Sequence, residues 1–172
     1  MKNYFKNLEL LSKNHVYSPE MEHDACGVGL IASTEGKKSR SVVEHGIEAL
    51  KAVWHRGAVD ADGKTGDGAG IHLEIPKDFF IEKIQVTGHQ HDDSEICVGM
   101  IFLPRNDYAS QESCKTIVES ELTKNNFSIY GWRQVPVNPK VLGEKAIQTM
   151  PEIIQVLFKS NDTNLLDKEL ER

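Results

Sequence analysis

The sequence predicts a single domain that contains both helices and strands, and three observations support this prediction. The chain has 172 residues, the length of one ordinary domain. Hydrophobic residues make up 39% of it and charged residues 27%, a composition that allows a core to form. Apolar runs typical of strands alternate with segments of helical periodicity, in the order strand, helix, strand, helix, strand, helix, strand, strand.

The first predicted elements are a short strand, a helix and a loop. Residues 26–32 are apolar, contain two glycines and precede a turn signal at Glu35-Gly36, which is typical of a buried strand. Between Ser39 and His55, apolar residues recur at steps of three and four, which predicts an amphipathic helix. Residues 56–70 contain five glycines and three aspartates, so we predict a loop there.

A second strand, a short helix and a third strand follow. Apolar and polar residues alternate over residues 71–75, which predicts a half-buried strand that ends at Pro76. Residues 76–80 then open a short helix. Residues 95–103 form a nearly continuous apolar run, which predicts a strand buried on both faces.

The last predicted elements are one longer helix and two strands. Asp107 is a candidate N-cap for a helix that runs to about Lys124, with its apolar residues on one side: Cys114, Ile117, Val118 and Leu122. Residues 127–137 and 153–158 have the composition of strands. Residues 1–25 and 159–172 are polar and are expected to be peripheral.

Composition and charge exclude several classes of protein. The formal net charge of −6, without a cluster of Lys and Arg, argues against nucleic-acid binding. No apolar run is long enough for a signal peptide or a membrane span. The three cysteines are irregularly spaced and odd in number, so no disulfide framework is predicted. We therefore expect a cytoplasmic protein.

Two motifs have a tempting functional interpretation that the sequence context does not favour. The glycine-rich stretch of residues 66–70 precedes a predicted strand, whereas phosphate-binding glycine loops follow a strand and open a helix. The cluster of His89, His91, Asp92 and Asp93 contains metal-ligating residue types, but a solvated loop explains it better because other ligands are absent. No metal site is predicted.

The cysteines have different possible roles. Cys97 and Cys114 lie within apolar patterns and are expected to be core thiols. Spacing alone favours the same role for Cys26. A nucleophile is the alternative, because cleavage after Ala25 would place the α-amino group of Cys26 beside its own thiol, where it can act as the base.

Three motifs resemble the amino terminus of the large subunit in the glutamate synthase family. They are the segments of residues 24–29 (Asp-Ala-Cys-Gly-Val-Gly), 55–58 (His-Arg-Gly-Ala) and 60–71, the loop rich in aspartate and glycine. The first two motifs, in this order and at this separation, are shared more widely by class II glutamine amidotransferases. Residues 135–139 and 142–143 also resemble the first domain of that family.

The resemblance implies an α+β fold, the four-layer α/β/β/α sandwich of the N-terminal-nucleophile hydrolases, of which this chain would be the first portion. Residues 1–25 would be a propeptide, and residues 26–172 the N-terminal part of the amidotransferase domain. Cys26 would attack the side-chain amide of glutamine and form a glutamyl thioester, and Arg56 would lie beside this nucleophile. Gly57, Asp67 and Gly68 would shape the loop around the site.

The resemblance also implies partners and cofactors. L-glutamine would be the substrate, although no substrate-binding residue is identifiable before Arg172. The chain would carry no cofactor itself. The parent enzyme would use FMN, an iron-sulfur cluster and NADPH or ferredoxin, and the chain would act with the rest of the large subunit and with a small subunit.

Two further functions stay open at this point. One is a catalytically incomplete module that docks onto a separately encoded remainder. The other is a stand-alone amidohydrolase that acts on a different amide.

Overall fold

The computed structural model describes Lys13, residues 27–53 and residues 57–162, which fall into two compact units divided between Ala58 and Val59. In the first unit, helix α1 spans Arg40–Ala52 and begins after Ser39. The predicted helix over residues 39–55 is thus confirmed over residues 40–52. Its apolar side chains are half-buried, and none of its residues is fully buried within the described part of the chain.

The strand predicted over residues 26–32 does not form over its described part, residues 27–32, and the prediction is wrong there. Val28 is 95% exposed and Leu30 is 89% exposed. A strand needs a neighbouring backbone to pair with its N–H and C=O groups, and the described residues of the first unit supply none. An apolar pattern alone does not provide that neighbour.

The described residues of the second unit form three helices and three strands. The helices are α2 (Lys77–Val86), α3 (Tyr108–Lys124) and α4 (Glu144–Thr149), the last preceded by a 3₁₀ turn at Pro139–Val141. The strands are β1 (Cys97–Leu103), β2 (Phe127–Gln134) and β3 (Glu152–Ser160). Helices α2 and α3 and all three strands were predicted, and Asp107 caps α3 by accepting a hydrogen bond from the backbone N–H of Ser110 at 3.0 Å.

The three strands form one antiparallel sheet in the order β1-β3-β2, so the last strand of the chain is its centre. Val98 of β1 pairs with Leu157 of β3, and Trp132 of β2 pairs with Val156. A bulge near Tyr130 shifts the register of β2. Residues 154–157 of β3 are all buried, because this strand has a neighbour on each side.

A helix covers each face of this sheet. On one face, Leu157 and Tyr130 pack with Phe80 and Ile84 of α2 in the hydrophobic core. On the other face, the indole N–H of Trp132 donates a hydrogen bond to a carboxylate oxygen of Glu119 on α3 at 2.6 Å. Side chains alternate along a strand, so the neighbours Val156 and Leu157 face these two different helices.

Four details of the second unit differ from the prediction. Residues 71–75 form no strand, since they have no pairing partner among the described residues, and only Ile75 packs against the core. Strand β1 is not buried on both faces, because Met100 is 48% exposed and Phe102 is 63% exposed. Ile117 of α3 is 62% exposed. Helix α4 was not predicted.

Within the described residues, no helix is long and apolar enough to cross a membrane.

Candidate active site

The two catalytic candidates from the sequence, Cys26 and Arg56, lie outside the described residues. The three candidates for the surrounding loop are described. Gly57, Asp67 and Gly68 are exposed and belong to the irregular segment of residues 57–70, which confirms the loop predicted there over its described part. The geometry of the candidate site is therefore that of this loop.

The centre of the loop is a tight turn. Val59 and Gly66 form an isolated antiparallel bridge, and the backbone N–H of Asp60 donates to the carbonyl of Thr65 at 2.7 Å. Gly63, at the tip of the turn, has a φ of +67°, which is the left-handed region that favours glycine. Residues 59–66 thus fold back on themselves.

The carboxylate of Asp62 fills the inside of this turn. One oxygen accepts hydrogen bonds from the backbone N–H groups of Lys64 at 2.9 Å and Thr65 at 2.7 Å, and the other accepts from the Thr65 hydroxyl at 2.5 Å. These bonds favour the charged carboxylate, so they lower the pKa of Asp62 from its ordinary 3.8 to about 2, with the hydroxyl of Thr65 as the largest cause. The turn therefore has a negative charge at its centre.

The turn is attached to the start of α4. The backbone N–H of Glu144 makes a minor contribution to the lowered pKa of the Asp62 carboxylate. A Cβ on Gly143 would overlap that carboxylate and the Thr65 hydroxyl, and would lie 2.6 Å from the Thr65 backbone nitrogen. Lys145 forms an ion pair with Asp60 at 2.6 Å, across 85 residues of sequence. We call residues 60–65 together with residues 143–145 the clasp.

Beyond the clasp, two glycines of the loop have open space around them. A Cβ on Gly68 or Gly70 would meet nothing within 4 Å. Asp62, Thr65 and Gly143 lie within the motifs quoted from the sequence, but no role was predicted for them. The Asp-Gly pair at residues 62–63 is a turn signal that could have located the turn, but no local signal indicates its contact with α4.

The cluster that contains His89, His91, Asp92 and Asp93 has a structural environment of its own. The Asp92 carboxylate pairs with the Lys159 ammonium and accepts from the Ser94 hydroxyl at 2.6 Å. The imidazole of His91 contacts the Ser94 carbonyl at 2.9 Å. In the part of the chain that the structure describes, no three His, Cys, Asp or Glu side chains are grouped to hold a metal ion.

Comparisons with the sequences of known proteins cover most of the chain. The family model of the class-II glutamine amidotransferases matches residues 26–172. Over 165 residues the chain is 54% identical to the large chain of the NADPH glutamate synthase of Azospirillum brasilense, an alignment that covers 96% of this chain and 11% of that protein.

Two other relatives are more distant. The chain is 39% identical over 153 residues to ferredoxin-dependent glutamate synthase 1 of Arabidopsis thaliana, and the alignment covers 87% of this chain and 9% of that protein. It is 37% identical over 151 residues to the NADH glutamate synthase of Saccharomyces cerevisiae, and this alignment covers 85% of this chain and 7% of that protein. The chain thus spans about a tenth or less of the length of these relatives.

Proposed function

This chain belongs to the class-II glutamine amidotransferase family, and on that premise we propose that it is the leading part of the glutaminase domain of a glutamate synthase. The observation that carries the proposal is the family match, which begins at Cys26 and continues to residue 172. The similarity to three glutamate synthases with different reductants supports the narrower assignment.

The proposed domain organisation has two parts. Residues 1–25 are a propeptide whose removal exposes the α-amino group of Cys26, and residues 26–172 belong to the amidotransferase domain. A four-layer α/β/β/α sandwich is the proposed complete fold. The antiparallel sheet of the second unit, with a helix on each face, is compatible with part of it.

The proposed reaction uses Cys26 twice. Its thiolate attacks the side-chain carbonyl carbon of glutamine, and the α-amino group passes a proton to the departing ammonia. Water, deprotonated by the same amine, then attacks the thioester, which releases glutamate and restores the thiol. Arg56 favours the thiolate by its positive charge, and Gly57, Asp67 and Gly68 shape the loop beside the substrate.

The whole enzyme is proposed to carry further groups outside this chain. FMN, an iron-sulfur cluster and either NADPH or ferredoxin would serve the use of ammonia in making glutamate, and the rest of the large subunit and a small subunit are the proposed partners. The described residues do not fit a metal cluster, since they contain no suitable group of ligating side chains. A cytoplasmic location completes the proposal, supported by the odd number of cysteines.

Intact mass spectrometry of the full chain, with and without a diazoketone analogue of glutamine, tests this function. We expect loss of residues 1–25 and a single adduct on Cys26, and no adduct in Cys26→Ser. Arg56→Gln should slow adduct formation on the order of a hundredfold, since it removes one electrostatic contribution to the site. The matched control Cys114→Ser should react like the parent chain. An unprocessed chain without an adduct contradicts the proposal.

The exposed apolar side chains favour a second candidate function, a non-catalytic module that docks onto a separately encoded remainder. Val28 and Leu30 in the first unit and Phe102 in the second are 95%, 89% and 63% exposed. Light scattering combined with an ammonia-release assay separates the two candidates. A monomer that releases ammonia from glutamine contradicts the docking module, whereas a self-associating chain that releases none favours it.

A further inference from the structure

We infer that Asp62 is a positioning residue, which holds the loop of residues 59–70 through the clasp. The inference rests on the proposed function, in which Gly57, Asp67 and Gly68 border the glutamine site. It adds residues that neither the motifs nor the family match assigns to a role.

The first argument is the hydrogen bonding of the Asp62 carboxylate. It accepts from the backbone N–H groups of Lys64 and Thr65 and from the Thr65 hydroxyl. All three donors belong to the turn, and Gly143 at the start of α4 lies directly against the same carboxylate. One side chain therefore both closes the turn and joins it to the rest of the second unit.

The second argument is the close packing at Gly143, which is independent of the charge on Asp62. Gly143 is buried, and any Cβ there would overlap the Asp62 carboxylate and the Thr65 hydroxyl. The ion pair between Lys145 and Asp60 adds a separate connection between the same two segments. The turn is thus held against residues 143–145 by packing and by charge.

The third argument is the contrast along the loop. Residues 60–65 have contacts with α4, while Gly68 and Gly70 have open space around them. Because the chain between Thr65 and Asp67 is a single residue long, the position of the turn restricts where Asp67 and Gly68 can lie. Loss of the clasp should therefore displace the exposed part of the loop without unfolding the sheet.

The test compares four variants of the full chain: Asp62→Asn, Thr65→Val, Thr65→Ser and Asp107→Asn. Thr65→Val removes the hydroxyl but keeps the side-chain shape, and Thr65→Ser restores the hydroxyl. Asp107→Asn is the matched control, because Asp107 likewise accepts from a backbone N–H and a hydroxyl, both of Ser110, at the start of α3.

Hydrogen exchange measures the clasp itself. In Asp62→Asn and Thr65→Val, we expect the amides of Lys64 and Thr65 to exchange about tenfold faster, the factor that corresponds to one lost hydrogen bond. Thr65→Ser and Asp107→Asn should leave the exchange of residues 57–70 unchanged. Unchanged exchange in Asp62→Asn overturns the inference.

The rate at which the diazoketone analogue of glutamine labels Cys26 measures positioning. It should fall about tenfold or more in Asp62→Asn and Thr65→Val, since small displacements of the loop beside the substrate reduce rates strongly. Labelling of Cys26 by iodoacetamide, which needs no glutamine site, should stay the same in all four variants. Faster exchange with unchanged analogue labelling overturns the positioning role. If the analogue does not label the parent chain, both the proposed function and the positioning role of Asp62 are contradicted. The hydrogen-exchange result still decides whether the clasp exists.

Discussion

The carboxylate of Asp92 pairs with the ammonium of Lys159, which joins the loop before β1 to the end of β3 across 67 residues of sequence. The Asp92 carboxylate also lies 3.3 Å from the hydroxyl of Tyr130, which is buried in the core. The hydrogen bond from Lys159 is the largest reason that the pKa of Asp92 is well below its ordinary 3.8. In return, Asp92 raises the pKa of Lys159 above its ordinary 10.5.

Replacement of Lys159 by Met should lower the melting temperature of the chain at pH values between 3.8 and 10.5, the ordinary pKa values of Asp92 and Lys159. Asp92 has a lowered pKa in the folded chain, so its contribution to stability is present above pH 3.8 and is lost as the pH falls below that value. The raised pKa of Lys159 keeps its contribution until the pH rises past 10.5. Thermal unfolding followed by circular dichroism from acidic to alkaline pH measures the difference.

Lys124→Met is the control for this prediction, because Lys124 pairs with Glu121 on the exposed surface of α3, with 64% and 58% of the two side chains exposed. Its effect should be smaller. If the difference in melting temperature between the parent chain and Lys159→Met persists unchanged into strongly acidic solution, the effect does not come from the pair with Asp92.

Substitution of Gly143 by Ala should destabilise the second unit. The new Cβ would overlap the Asp62 carboxylate and the Thr65 hydroxyl, and such overpacking costs about 1–3 kcal/mol. Urea unfolding measures the change in the free energy of unfolding. In Gly70→Ala the Cβ would meet no atom within 4 Å, so this control should stay within about 0.5 kcal/mol of the parent chain. Equal effects of the two substitutions would show that the packing at Gly143 is unimportant.

Substitution of Leu157 by Ala tests the centre of the core. Leu157 is 0% exposed and packs with Phe80, Ile84 and Tyr130, so its truncation should reduce the free energy of unfolding by about 2–5 kcal/mol. Met100→Ala on β1 is the comparison, because Met100 is 48% exposed. The loss in Met100→Ala should be smaller by at least half, as less contact area disappears. Chemical denaturation of both variants decides this, and equal losses contradict the position of the core.

The thiol of Cys97 should alkylate more slowly than that of an unfolded peptide with the same sequence. Burial, and to a smaller extent the charge of Glu95, raises its pKa, so less thiolate is present at neutral pH. Iodoacetamide labelling with peptide mass spectrometry measures the rate. Glu95→Gln should increase the rate modestly, whereas Asp93→Asn, at the neighbouring loop, should not. A faster rate for Cys97 in the folded chain than in the peptide contradicts this prediction.

The sequence predicted most of the elements of the second unit because their signals are local. Helix α3 is indicated by the Asp107 cap and by the helix-forming residues that directly follow it. The apolar run at residues 95–103 contains all of β1. The same reasoning failed at residues 27–32 and 71–75. Their patterns are those of strands, but a strand also needs a partner, which a local pattern cannot supply.

The candidate site divides in the same way. Cys26, Arg56 and the loop with Asp67 were identified from motifs, and their catalytic and structural roles stay predictions. No role was predicted for Asp62, because its hydrogen bonds lie within the turn, whereas its contact with Gly143 joins segments that are far apart in the chain.

By itself, the sequence determined the helices α1, α2 and α3, the three strands of the sheet and the motifs of the amidotransferase family, since periodicity, capping residues and motifs act over a few neighbouring residues. Only the tertiary structure decided the strand order β1-β3-β2, the exposure of Phe102 and the contact of Asp62 with Gly143. These features depend on backbone pairing and close packing between segments far apart in the chain, and such contacts exist only once the chain has folded.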